Sequence, residues 1–216
     1  MISNITSSGN NKKDEIKKLK NKNNDEDNSN PKDIIFLKNI VNDSYPHLWY
    51  IDQFTVFKSI NNILCLIYAN KNKSIISYNI IENKKLNEIK NAHQKYINKF
   101  RYYLDNINKR DLIISISSDD NNLKLWHISI NNTELILNIN NIYNFGYLES
   151  ACFLINNNES YIITCNISNQ ESIKVFDFKG NKIKEINDSK DISYFIDIYC
   201  DNNLFKNYII TGMKKM

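Results

Sequence analysis

Glycine and proline are scarce in this chain, at 4 and 2 residues out of 216. So little glycine leaves no phosphate-cradling loop, and neither GxxxxGK[ST] nor GxGxxG occurs. It also leaves no glycine-built oxyanion hole. Arginine occurs only as Arg101 and Arg110, placed singly. The four cysteines, Cys65, Cys152, Cys165 and Cys200, form no CxxC pair and no Cys/His cluster with zinc-ligand spacing. They sit in apolar runs and are expected to be buried thiols in a reducing compartment, with no metal and no cofactor. No run of 18 apolar residues exists and the first 30 residues are polar, so neither a membrane span nor a secretory signal is expected. That N-terminal stretch contains Asp and Glu and no Arg, unlike a mitochondrial presequence. The expectation is a soluble intracellular protein, cytoplasmic by default, with the nucleus left open.

What is abundant is asparagine, together with isoleucine and lysine. Turns built elsewhere with glycine are expected here on Asn and Asp, which tolerate the left-handed conformation. Asn61-Asn62, Asp120-Asn121-Asn122, Asn131-Asn132 and Asn156-Asn157-Asn158 are the examples. Lys and Arg number 28 against 24 acids, a net charge of +4. The two signs are interspersed, so no surface is forced to be basic and nucleic acid is not indicated as a partner.

Residues 1–33 are Lys, Asn, Asp and Ser with few apolar side chains, and a disordered tail is expected there. From Ile34 the texture changes to short apolar runs separated by polar turns, the all-β pattern. Strands are expected at 34–41, 48–57, 63–69, 74–80, 85–90, 96–104, 111–117, 122–128, 134–139, 148–155, 161–167, 172–178, 182–186, 193–199 and 207–212. One stretch stands out, LIISISSDDNNLKLWHI at 112–128: an apolar strand, a tight polar turn and an alternating strand with Trp126 near its end. It has echoes in SIISYNI (74–80) and SIKVFDF (172–178). Ile75, Leu123 and Ile173 are then equivalent, spaced by 48 and 50 residues (123 − 75 and 173 − 123). A period of that size built from strand pairs points to blades repeated around an axis, a β-propeller. The units run from about 48–90, 96–139 and 148–186, with a partial one at 193–216 and a lone strand at 34–41.

The middle unit resembles the WD-repeat (tryptophan-aspartate repeat) family. Ala92-His93 stands where that family has Gly-His, Asp120 lies six residues before Trp126, and Trp126-His127 replaces Trp-Asp. The resemblance covers residues 34–216, with degenerate units on either side: Tyr78-Asn79 and Phe176-Asp177 stand at the Trp-Asp position. It implies a partial propeller of about three and a half four-stranded antiparallel blades. It also implies a structural hydrogen-bond chain of His93, a serine of the second strand, Asp120 and Trp126, the serine being Ser117 or Ser118. The unit at 148–186 has no histidine in the loop Tyr143 to Leu148 and Gln170 where the turn Asp would be, so apolar packing is expected to hold it.

These residue types also compose a catalytic triad, but a serine inside a sheet strand is not a nucleophile on an exposed elbow. No catalysis is expected. By resemblance the function is a non-enzymatic scaffold docking other proteins on the propeller face, with Tyr96, Asn98, Asp119 and Arg101 as candidate partner-binding residues. A phospholipid- or RNA-binding propeller is the alternative; lipid-binding propellers carry a paired-arginine loop that this chain lacks. Propellers close with about four to eight blades. A fragment of a longer sequence is therefore expected, with completion by a second chain and a truncated, non-functional product as alternatives. Exposed blade edges would favour self-association.

Overall fold

The computed structural model describes residues 54–156, 159–166, 173–186, 192–201 and 206–214. The tail 1–33, the strand expected at 34–41 and Gln170 lie outside the described residues. The described residues form three four-stranded antiparallel sheets and one two-stranded sheet, each built from consecutive strands. The first sheet holds β1 (Phe54–Lys58), β2 (Leu64–Ala69), β3 (Ile75–Asn79) and β4 (Lys84–Ile89). The second holds β5 (Lys99–Asp105), β6 (Arg110–Ser117), β7 (Asn122–Ile128) and β8 (Thr133–Ile139). The third holds β9 (Leu148–Asn156), β10 (Glu159–Asn166), β11 (Ile173–Asp177) and β12 (Lys182–Ile186). The last pairs β13 (Ile192–Asp201) with β14 (Lys206–Lys214). Three four-stranded sheets and a two-stranded one match the expected all-β fold of about three and a half antiparallel blades.

Strand β6 explains how the sheets stack. Successive side chains of a strand point to opposite faces, so a strand buried at every position from Asp111 to Ser117 is covered on both sides. Ile113 packs with Trp126 and Ile128 against Phe57, Ile67 and Ile75 of the first sheet. Leu112, Ile114 and Ile116 pack with Leu123 and Leu125 against Ala151, Ile162 and Phe176 of the third. The third sheet repeats the device: Cys152, Ile163 and Val175 turn to Ile196 of the fourth. Each fully buried isoleucine contributes about 1.5–3 kcal/mol relative to exposure, which makes these interfaces the main source of stability.

The leading strands lie side by side, β1 by β5, β5 by β9 and β9 by β13. That places them along one edge of the stack, as blades around an axis require. The last strands β8 and β12 are the most exposed of their sheets, and in the first sheet both outer strands, β1 and β4, carry exposed residues. On β14, Tyr208, Ile209 and Ile210 are exposed in succession, whereas the second strands β6 and β10 bury theirs.

Asparagine supplies the left-handed turns. Asn62, Asn83, Asn91, Asn121 and Asn141 all have positive φ, joined only by Lys73 and Lys109 among the described non-glycine residues. The side chain of Asn70 closes its own turn by accepting from the N–H groups of Asn72 and Ser74. Cys65, Cys152 and Cys165 are buried free thiols. Burial pushes Cys152 and Cys165 up to about 12.

Candidate functional site

The loop 92–98 leads into the second sheet, and Ser118–Asp120 forms a short 3-10 turn between β6 and β7. Between them lies a buried polar cluster. Trp126 donates its indole N–H to Ser115 Oγ at 2.8 Å, and His93 Nε2 meets the same hydroxyl at 2.7 Å. The Ser115 hydroxyl, with one proton and two lone pairs, thus serves the indole and the imidazole together. Burial, reinforced by the nearby Lys124 charge and opposed by Asn122, lowers the His93 pKa from 6.5 to about 3. The ring is therefore neutral.

The serine of the network is Ser115, not Ser117 or Ser118. The odd-numbered residues of β6 face the first sheet, so Ser115 and Ser117 share a face. Ser115 lies opposite Lys124, whereas Ser117 lies opposite Asn122 at the turn end. Ser117 Oγ has no hydrogen-bond partner. Ser118 has left the strand, and its backbone N–H donates to Asn98 Oδ1 at 2.8 Å. Asp120 does not bond His93: the 3-10 turn aims its Oδ2 at the Lys95 N–H, at 3.3 Å. His93 Nδ1, Asp120 Oδ1 and Asn122 Oδ1 have no hydrogen-bond partner. Beside them opens a polar cavity of about 480 Å³ lined by Gln94, Asp120, Asn122, Lys124 and the asparagines at 138, 140 and 141.

The third sheet carries the same arrangement in different residues. Tyr143 and Thr164 share a buried hydrogen bond of 2.8 Å at the positions of His93 and Ser115. Phe176 stands at the position of Trp126 and brings no N–H. Lys124 donates to the Ala92 carbonyl at 2.6 Å with its ammonium 5.8 Å from the Trp126 ring. Lys174 donates to the Ile142 carbonyl at 2.9 Å with its ammonium 4.4 Å from the Tyr143 ring. The expectation of apolar packing alone in this unit is thus corrected. A scan at a 50-residue offset pairs Lys124 with Lys174 by identity, and His93 with Tyr143 only if residue identity is ignored.

These bonds fix one end of the stack, made of the turn 118–122 and the loops 92–98 and 142–148. Asn121 joins the second sheet to the third: its Nδ2 donates to the Gly146 carbonyl at 3.0 Å and its Oδ1 accepts the Leu148 N–H at 2.6 Å. Asn166 Nδ2 donates to the Phe145 carbonyl at 2.9 Å. Of the residues expected on this face, Tyr96 is partly exposed with the Lys73 ammonium 6.0 Å from its ring, and Asp119 is exposed. Asn98 is not there: it is buried, and its side chain holds the turn. Arg101 is half-buried on β5 and donates to the Phe100 carbonyl at 3.1 Å. Phe145 and Tyr147, not anticipated, are exposed on the same end. Their only sequence signal is two aromatics bracketing a glycine in a short turn.

At the other end of the second sheet, Asp111 is buried and accepts the Ile60 N–H and, at 2.8 Å, the Tyr102 hydroxyl. This ties the first sheet to the second. Lys99 and Glu149, paired at 3.0 Å, tie the second to the third. Among the described residues no His, Cys, Asp and Glu gather in a group able to hold a metal ion. No helix among them is long and apolar enough to cross a membrane.

No family model matches this chain, and no curated protein matches it. Among solved structures it is similar to the β-propeller domain of Cps50 (Swd1) from Myceliophteria thermophila, with a TM-score of 0.52 at 10% sequence identity. The match covers 71% of this chain and 51% of the other, so the chain spans about half the length of that solved domain. At such identity the likeness establishes the fold alone: the sheets form part of a β-propeller.

Proposed function

We propose that this chain is a non-enzymatic docking module of the WD-repeat type, binding other proteins on the end formed by the turn 118–122 and the loops 92–98 and 142–148. The supporting observation is the set of side-chain bonds from Asn98, Asn121 and Asn166 to loop backbone, which hold that end in one conformation before any partner arrives. Preorganisation of this kind lowers the cost of ordering an interface. The absence of catalysis is supported by the setting of Ser115: its hydroxyl is wholly buried between two sheets, where no substrate reaches it. Buried free thiols fit a reducing, cytoplasmic setting.

Photo-crosslinking tests this reading. Benzoylphenylalanine placed at Tyr96 is expected to capture discrete partner proteins in cells, and the same group at Glu134 on the outer strand β8 is not. Equal capture at both positions, or capture of RNA or lipid in place of protein, contradicts it.

A further inference from the structure

The loop end carries two exposed aromatic rings. Phe145 is 59% exposed and Tyr147 51% exposed, on either side of Gly146, whose φ is +77°. Exposed aromatic rings on a mobile loop would say little. These are on a loop held by Asn121 and Asn166 through the Gly146, Leu148 and Phe145 backbone, at 3.0, 2.6 and 2.9 Å. Large rigid rings held out to solvent are the residue types that dominate protein interfaces, because little side-chain entropy is lost when they are covered.

Beside them stands one exposed carboxylate, that of Asp119. Asn121, which brackets Tyr147, follows directly on Asp119 and Asp120. Asp119 is exposed and forms no hydrogen bond or ion pair among the described residues. Asp120 is spent on the turn itself, its Oδ2 at the Lys95 N–H and its Oδ1 buried. On the far side of the same turn, the Lys73 ammonium lies 6.0 Å from the Tyr96 ring centre, so this end already seats one cation against an aromatic face.

We infer that Asp119, Phe145 and Tyr147 form a docking surface for a protein segment in which lysine or arginine alternates with apolar residues. The cation pairs with Asp119 and lies against Tyr147, while the apolar neighbour covers Phe145. The exposed Asp119 carboxylate disfavours a phosphate backbone, which sets a basic peptide apart from RNA as the occupant. This inference rests on the proposed docking function and narrows it to one surface and one chemistry.

Fluorescence anisotropy with the full chain tests it, using labelled short peptides of alternating arginine and leucine, their glutamate–leucine counterparts, and poly(U) RNA. The arginine–leucine peptide is expected to bind, more weakly as salt rises, and the glutamate–leucine peptide is not. Asp119→Lys and Tyr147→Ala are each expected to weaken binding by about tenfold or more, with both variants folded by circular dichroism. Unchanged binding in both variants overturns the inference, as does a native chain that binds poly(U) more tightly than the arginine–leucine peptide. Partners crosslinked from Tyr96 that survive Asp119→Lys and Tyr147→Ala leave the docking function standing and refute only this surface.

Discussion

Tyr143 and Thr164 are joined by a buried 2.8 Å hydrogen bond at the positions that His93 and Ser115 occupy one unit earlier. The fold thus asks for a polar pair there without asking for particular side chains. A loop residue must reach over the sheet to a hydroxyl on its second strand, and tyrosine to threonine meets that requirement as histidine to serine does.

Removing one member of a buried pair leaves the other unsatisfied, at about 1–3 kcal/mol. Ser115→Ala strips the partner from the Trp126 N–H and from His93 together, and is expected to cost at the upper part of that range. Ser117→Ala removes a hydroxyl without a partner and is expected to be close to neutral. Urea unfolding of the two variants checks this; equal losses would place the network on the wrong serine.

For the third unit, Tyr143→Phe and Thr164→Val are expected to destabilise by about 1 kcal/mol each and to be non-additive. A double-mutant cycle measures the coupling. Additive losses would mean that the two hydroxyls do not meet.

His93 makes stability depend on pH. Its pKa falls from 6.5 in the unfolded chain to about 3 in the fold, so between these values the unfolded chain binds the extra proton and the folded one does not. Stability from this group is complete above 6.5 and is lost as the pH drops toward about 3. Unfolding midpoints followed from neutral to acid pH should fall less steeply in His93→Gln than in the native chain. Parallel curves would mean that His93 is solvated.

Asp111 joins two sheets, and Asp111→Ala leaves the Ile60 N–H without its acceptor and the Tyr102 hydroxyl with the Lys58 carbonyl alone. A loss of about 3 kcal/mol is expected in denaturant unfolding. Asp105, likewise buried but held within its own turn by Asn108 and Arg110, should matter less to the joint between sheets.

The strands were legible in the sequence because every apolar run is bounded by Asn- or Asp-rich turns, and the repeat because Ile75, Leu123 and Ile173 recur at nearly constant spacing. The choice among the serines was not legible. Ser115 and Ser117 share a face, and which one meets His93 depends on how far the loop reaches along the strand, a tertiary distance with no local signal. Asn98 is not exposed on the loop end because its side chain accepts the Ser118 N–H, a bond across 20 residues that has no local signal. Tyr143–Thr164 escaped because the expected pattern names residue types, whereas the fold conserves only a hydrogen bond between fixed positions.

Hydrogen exchange of the native chain, resolved by residue, tests most directly whether this is a stack of propeller blades with a preformed docking end. The amides of Leu112–Ile116 and Ile162–Thr164, paired on both edges and covered on both faces, are expected to exchange slowest. The loop amides of Ser118 and Leu148 should be protected with them, because each donates to an asparagine side chain. Protected strands with freely exchanging Ser118 and Leu148 would contradict the preformed end, and uniform rapid exchange would contradict the fold.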